Sequence, residues 1–308
     1  MAEKVDVLIV GAGFAGLSAA IYSARFNLKT AVIGDIWGGL ITTTHLVENY
    51  PGYKSLSGLD LMEKFKEHID YYKIPFIFDF VESIQKKGEG KFIATTREGK
   101  QYEAKAVIIS TGTRRKKLNV PGEKEYENRG VSYCATCDAF LFKGKEVVVV
   151  GGSDSAAKEG LLLSEFASHV TILARSTLHP EPINGERVKE KKNLKVIEGI
   201  QVKEIKGDGK KVTSLKLDNG REMKADGVFI EVGHIAMTEL AGKLGVKLND
   251  KDEIIIDRYS RTNVLGVLAA GDCCDTNWKQ GIVSAGEGAH AANSAYNYLI
   301  EKKLVTSP

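Results

Sequence analysis

Val5-Asp-Val-Leu-Ile-Val10 is apolar and β-branched apart from Asp6, and it stops at Gly11. Such a run, with no polar alternation, reads as a strand buried on both faces of a parallel sheet. An Ala-rich helical stretch follows over Leu17 to Arg25, and Lys29-Thr-Ala-Val-Ile33 gives a second strand ending at Gly34-Asp35. Helical spacing returns at Leu59, Leu61, Met62, Phe65 and Ile69. Short strands are expected at Phe76 to Phe80, around Ile84, at Phe92 to Thr95 and at Tyr102 to Ala104. Ala106 to Ser110 is another buried strand, closed by Thr111-Gly112-Thr113.

The pattern then breaks. Arg114 to Gly130 is charged and carries Pro121. Beyond it the β-α-β order starts again: Lys145-Glu-Val-Val-Val-Val150 runs into Gly151, a helix extends to about Ala167, and Val170 to Ala174 is the next strand. Short strands and turns fill 181–226, and Asp226 to Gly233 is a strand ending on glycine. The tail returns with a strand over Val264 to Ala270, then Gly271-Asp272, then a long helix from about Val283 to Leu304. The expected fold class is α/β, with two Rossmann-like three-layer nucleotide-binding domains, the second inserted into the first. Residues 1–113 and 246–308 form one domain and 114–245 the other.

Glycine spacing gives this order a chemical meaning. Gly11-Ala-Gly13-Phe-Ala-Gly16 sits between strand and helix, the context in which Gly-X-Gly-X-X-Gly binds a dinucleotide. The first glycine makes the tight turn, the second admits a pyrophosphate, and the third lets helix and strand pack closely. The helix N-terminus then faces the phosphates. Asp35, at the end of the second strand, stands where a ribose hydroxyl is bound. The Gly-rich stretch from Gly38 to Gly52 is long for a plain connection and reads as a binding loop. A weaker second turn runs Gly151-Gly152-Ser153-Asp154-Ser155-Ala156.

Composition narrows the classes. The chain has 308 residues, 43% hydrophobic and 27% charged, with net charge +3. Its basic residues are dispersed, which argues against nucleic acid. No run of about 18 apolar residues exists to span a membrane. The first strand is too short for a signal peptide, so a cytoplasmic location is expected. The cysteines, at 134, 137, 273 and 274, are too few for a disulfide scaffold.

Cys134-Ala-Thr-Cys137-Asp138 is the densest chemistry in the chain. Cys-X-X-Cys geometry lets two sulfurs meet in a disulfide at a helix start and lowers the pKa of one thiol. Asp138 is placed to act as a general acid for a departing thiolate. Three readings stand: a redox dithiol beside a flavin, half of a zinc site, or inert buried cysteines. The zinc reading lacks a second pair of suitable spacing, because Cys273 and Cys274 are adjacent. Those two read as small buried apolar residues, and no metal is expected.

In this order the motifs resemble low-molecular-weight thioredoxin reductase of the bacterial and archaeal type, over essentially the whole chain. Five stretches carry the resemblance: the first glycine turn; Gly38 to Thr44 with Val47-Glu-Asn-Tyr-Pro-Gly52; Ser110-Thr-Gly-Thr113; Cys134 to Asp138; and Ala269-Ala-Gly-Asp272 with Lys279-Gln-Gly-Ile-Val-Ser-Ala-Gly286. The resemblance implies FAD in the first domain, with Gly11, Gly13, Phe14 and Ala15 at the pyrophosphate and Gly39, Leu40, Thr44 and Asn49 along the flavin. It further implies Thr111 and Gly112 at the dinucleotide, Asp272 at the ribityl chain, and Gln280 with Ile282 at the isoalloxazine end. Lys279 stands where the family has Arg and joins that set. Cys137 would face the flavin, Cys134 would attack the partner disulfide, and Asp138 would supply the proton. A homodimer is also implied.

Departures fall in the second nucleotide site. Ser153 replaces the middle glycine, and only Arg175 survives of the family's basic NADPH grip, where this chain reads Ala174-Arg175-Ser-Thr-Leu-His-Pro180. A 2′-phosphate prefers several bidentate arginines. The family's Gly-His-X-Pro-Asn reads Gly233-His-Ile-Ala-Met237 here. His179, beside Pro180, reads as a solvated loop residue. NAD(P)H use is therefore uncertain, while fold and dithiol are retained.

The function expected is a flavoprotein disulfide reductase, a thioredoxin-disulfide reductase. It would pass electrons from NADH, NADPH or reduced ferredoxin through FAD to Cys134 and Cys137, and on to thioredoxin or a glutaredoxin-like protein, with rotation of the inserted domain. The alternatives are a ferredoxin-dependent flavin thioredoxin reductase that does not use NADPH, a flavin NAD(P)H:ferredoxin oxidoreductase, against which the dithiol argues, and a flavin-binding redox sensor without turnover.

Overall fold

A computed structural model describes residues 2–306. The apolar run at the start is β1 (Glu3–Val10), followed by α1 (Phe14–Arg25) and β2 (Thr30–Gly34). A short 3-10 helix, Gly39–Thr43, lies inside the expected binding loop. Next come α2 (Gly58–Tyr71), β3 (Phe76–Phe78), β4 (Val81–Gly88), β5 (Lys91–Thr96) and β6 (Gln101–Ile109). Tyr102 to Ala104 and Ala106 onward are thus one strand: antiparallel to β5 at one end, buried between β1 and a later strand at the other.

The inserted stretch carries β7 (Thr113–Arg115), β8 (Val131–Ser132), α3 (Ala135–Asp138), β9 (Glu146–Val150), α4 (Asp154–Leu163) and β10 (His169–Ala174). It continues with α5 (Pro182–Glu190), β11 (Leu194–Glu198), β12 (Val202–Gly207), β13 (Val212–Leu217), β14 (Glu222–Lys224), β15 (Gly227–Ile230) and β16 (His234–Ala236). The chain closes with α6 (Glu239–Lys243), β17 (Val267–Ala269) and α7 (Gly281–Glu301).

Two compact units result. One holds the described residues up to Arg114 and from Ala236 onward; the other spans Arg115–Ile235. The second crossing comes ten residues before the expected 245. The reason is packing: Leu240 and Ala241 of α6 are buried with Val81, Ile84 and Ile254 in the core of the first unit.

In the first unit the sheet order is β3-β2-β1-β6-β5-β4, with β17 also on β6. β1 runs parallel to both β2 and β6, the arrangement its uninterrupted apolar run requires. Small residues set the helix layer. A Cβ on Gly288 of α7 would lie 2.1 Å from the Ala15 carbonyl oxygen, so α1 and α7 approach with no room for a side chain between them. In the second unit the order is β11-β10-β9-β15-β8, with β12, β13 and β14 as a separate antiparallel sheet. In each unit the glycine turn follows the C-terminal end of a central parallel strand, where doubly wound folds bind ligands.

Candidate functional site

The first glycine turn has the geometry a pyrophosphate cradle needs. Gly11 has φ +106°, and a Cβ there would stand 2.2 Å from the Ser110 carbonyl oxygen. A Cβ on Gly16 would stand 1.9 Å from the Gly11 oxygen. Gly13 is different: its nearest neighbour would be the Gly38 oxygen at 3.9 Å. The fold does not need glycine there for space, but a phosphate lying against the backbone does. Gly13 is also the N-cap of α1, no side chain caps the helix, and its first turn holds no acidic residue. Uncapped amides and an uncompensated dipole suit an anion. The residues present therefore fit a dinucleotide.

The side chains of Phe14 and Ala15 are structural. Phe14 stacks on Tyr50 at 5.3 Å and meets Phe65 edge-on, and Ala15 packs against α7, so both offer a phosphate only backbone. Asp35 is exposed just past β2. Gly39 and Leu40 lie in the 3-10 turn, and the Thr44 carbonyl accepts from the Gly58 amide at 2.9 Å. Gly112 has φ +64° and nothing within 4 Å of its Cβ position, while the Thr111 hydroxyl donates to the Met237 carbonyl at 2.5 Å. Asn49 Nδ2 donates to Gln280 Oε1 at 3.2 Å, which brings together two of the expected flavin-side residues. Gln280 is the N-cap of α7, and Ile282 in its first turn is partly exposed.

Asp272 is held by a latch that extends beyond the sequence motif. Ser284 donates to its Oδ1 at 3.0 Å, and Glu287 accepts from the Gly271 amide at 2.8 Å and from the Thr276 hydroxyl. Lys279 has three acceptors within the protein. Its ammonium reaches the Asp272 carbonyl at 2.7 Å, the Cys274 carbonyl at 2.9 Å and Glu253 Oε1 at 2.8 Å. An ammonium has three protons, and these three acceptors use them all. Lys279 thus ties the Asp272 loop together. Burial pushes Glu253 up, but Lys279 and Asn249 outweigh it and hold that carboxyl below the usual range. Cys273 and Cys274 are fully buried beneath the same loop, with sulfurs 3.9 Å apart.

In the second unit Cys134 and Cys137 are joined as a disulfide, with Cα atoms 5.3 Å apart. Cys134 is the N-cap of α3, and its sulfur accepts from the Cys137 amide at 3.2 Å. The capping places both sulfurs at the helix start, with Cys137 exposed and Cys134 half-buried. Sequence reasoning missed the residue that organises this turn. Ser132, buried at the end of β8, donates to Asp138 Oδ2 at 2.6 Å and accepts from the Cys134 amide at 3.1 Å. One hydroxyl thus ties the carboxylate, six residues on, to the amide of the first cysteine, two residues on.

The second glycine turn keeps its packing. A Cβ on Gly151 would meet the Glu231 oxygen at 2.3 Å, and Gly152 accepts from the His179 amide at 2.9 Å. Ser153, the N-cap of α4, is extended and exposed, and Ser155 in the first turn of the helix is exposed too. Asp154 Oδ1 accepts from the Glu181 amide at 2.7 Å and from Asn184 at 2.8 Å, and Lys158 pairs with Oδ2 at 2.9 Å. Burial pushes Asp154 up, but these partners outweigh it and hold its carboxyl below the usual range. Its side chain therefore anchors the start of α5. Arg175 is exposed. Among the described residues no group of three or more potential metal ligands gathers, and no helix is long and apolar enough to cross a membrane.

Comparisons with known proteins agree with this geometry. Residues 5–292 match the family model "Pyridine nucleotide-disulphide oxidoreductase". A Listeria innocua protein named thioredoxin reductase is 41% identical over 310 residues, covering 98% of this chain and 96% of its own. Two solved structures align closely. The thioredoxin reductase of T. acidophilum has TM-score 0.91 and 42% identity, covering 97% of this chain and 99% of its own. The Lactococcus lactis enzyme of the same name has TM-score 0.93 and 36% identity, covering 96% and 99%.

Proposed function

The chain belongs to the pyridine nucleotide-disulphide oxidoreductases, within the low-molecular-weight thioredoxin reductases, and as such is a flavoprotein disulfide reductase; from that premise we propose how its residues divide the work. FAD, when bound, supplies a carrier that takes two electrons from a donor and releases them to a disulfide. The first-turn amides of α1 hold its pyrophosphate at Gly13, with Asp272 at the ribityl chain and Asn49 with Gln280 at the ring. Cys137 would be the sulfur that faces the flavin, and two electrons with two protons would open the Cys134–Cys137 bond to a dithiol. Cys134, as thiolate, then attacks one sulfur of the partner disulfide; that bond breaks, and Asp138 protonates the sulfur that leaves. Cys137 resolves the mixed disulfide, and the Cys134–Cys137 bond re-forms.

The observation that carries this reading is the capped Cys134–Cys137 disulfide with Asp138 held beside it by Ser132. Its output is a thioredoxin or a glutaredoxin-like protein. The donor is NADH, with NADPH weakly used, or reduced ferredoxin, since Arg175 alone marks the place of the phosphate grip. A homodimer in the cytoplasm, independent of nucleic acid and membrane, completes the proposal.

The experiment gives purified FAD-loaded protein a thioredoxin and each donor in turn, anaerobically, and follows flavin bleaching and the thiols released. Turnover with at least one donor is expected, together with its loss in Cys134→Ser while FAD stays bound. No turnover with any donor overturns the reading.

A further inference from the structure

Three charged side chains meet in the interior of the second unit, against the dithiol turn. Glu159 comes from α4, Glu231 follows β15, and Arg115 ends β7. Arg115 pairs with Glu231 Oε1 and stands 3.4 Å from Glu159 Oε1. The side chains are 19%, 4% and 13% exposed for Arg115, Glu231 and Glu159. One guanidinium thus faces two carboxyl groups where water is scarce, a setting that disfavours ionisation of both. Glu159 Oε2 is buried and finds no hydrogen-bond partner among the described residues. Burial, and next the nearness of Glu231, push Glu159 well above the usual range, against the pull of Arg115. Of the charged groups on the neighbouring elements, Asp138 on α3 is held by Ser132, and Asp154 and Lys158 on α4 pair with each other.

The remaining contact leads to the cysteines. Glu159 Oε1 accepts from the Ala135 amide at 3.3 Å, and Ala135 is the first residue of α3, next to Cys134. We propose that Glu159 is a positioning residue for the redox dithiol: through the Ala135 amide it fixes the turn on which Cys134 and Cys137 stand, and Arg115 and Glu231 fix Glu159. A carboxyl that keeps its proton offers the amide a neutral acceptor. It also adds no negative charge beside sulfurs that must become thiolates, which an ionised Glu159 would oppose. The inference rests on the reading of Cys134 and Cys137 as the redox pair.

The test reduces FAD-loaded protein with excess dithiothreitol, removes the reductant anaerobically, and times alkylation of each thiol by iodoacetamide from pH 6 to 9. Wild type is compared with Glu159→Gln, Glu159→Ala and Glu159→Asp. Gln keeps a neutral acceptor oxygen at the same reach and is expected to stay within threefold of wild type. Ala loses the acceptor, and Asp withdraws it by one methylene; both are expected to change the Cys134 rate by more than threefold. Asp also decides the matter if Ala does not fold. Ala or Asp within threefold of wild type, or Gln outside it, overturns the inference. Thioredoxin turnover on the same wild-type sample tests the parent reading separately: its absence sinks that reading, while the alkylation rates still decide whether Glu159 positions the thiols.

Discussion

Asn49 and Gln280 meet through a hydrogen bond of 3.2 Å across 231 residues of sequence, joining the loop after the 3-10 turn to the N-cap of α7. The bond is exposed, so it contributes little to folding, at most about 1 kcal/mol. Two amides held face to face at little benefit to stability suit a ligand that needs both. Asn49→Ala and Gln280→Ala are therefore expected to leave the melting temperature of cofactor-free protein within about 2 °C of wild type. Each should shift the flavin absorption band and weaken FAD binding about three- to tenfold, the loss of one modest hydrogen bond. An unchanged flavin spectrum in both variants removes these residues from the ring site.

The two glycines of the first turn separate folding from binding. At Gly11 an added methyl meets the Ser110 oxygen at 2.2 Å and φ is +106°, so Gly11→Ala is expected to destabilise the apoprotein by about 3 kcal/mol or more. At Gly13 the nearest atom is 3.9 Å away, so Gly13→Ala should fold normally. Its cost appears only when FAD is titrated, as binding weakened about tenfold or more by a methyl in the pyrophosphate's path. Denaturant melts with and without FAD distinguish the two.

Legibility in the sequence followed the range of the interaction. The paired β-α-β units were readable because strand burial and glycine turns are local: Gly11 and Gly16 are packed too tightly for a side chain, and Gly13 has open space before it. That the cysteine pair stands at a helix start was readable for the same reason. What was not readable depends on side chains meeting across the fold. Lys279 was placed by the family's Arg at that position, and its contacts to Glu253 and two carbonyls could be seen only in the fold. Ser132 and Glu159 carry no motif of their own; their partners, Asp138 and Ala135, had to be placed first. The end of the inserted unit was misplaced because α6 is too short to announce which core it joins.

The Lys279–Glu253 pair gives a pH-dependent test. Glu253 is held below the usual carboxylate range despite its burial, so its folded pKa is lower than its unfolded one. Such a group adds stability that is present above the unfolded value, about pH 4.3, and is lost as pH falls through the folded value. Lys279→Met removes the cation and leaves a largely buried carboxylate with fewer partners, expected to cost about 1–3 kcal/mol at pH 7. The gap between variant and wild type should narrow as the pH is lowered below about 4. Urea melts at pH 7, 5 and 3.5 check this; a gap that is constant with pH shows that Glu253 is not the group concerned.

Ser132 and Asp138 give the sharpest test of the proton's route. The Ser132 hydroxyl has one proton, and its shorter bond, at 2.6 Å, goes to Asp138 Oδ2 while its oxygen accepts from the Cys134 amide. Asp138→Asn removes the acid itself, and the rate of partner reduction should fall about 10²-fold or more, as for a lost general acid. Ser132→Ala leaves the acid in place but frees its orientation, and a fall of about three- to tenfold is expected, the equivalent of one hydrogen bond. The discriminating readout is the first step alone. Rapid mixing of pre-reduced enzyme with a thioredoxin disulfide should show both variants slowed in leaving-thiol release, with FAD content unchanged. In the double variant, Ser132→Ala should add nothing to Asp138→Asn, since a positioning hydroxyl has no effect once its carboxylate is gone. Additive losses would mean that Ser132 acts on Cys134 through its amide rather than on the proton donor.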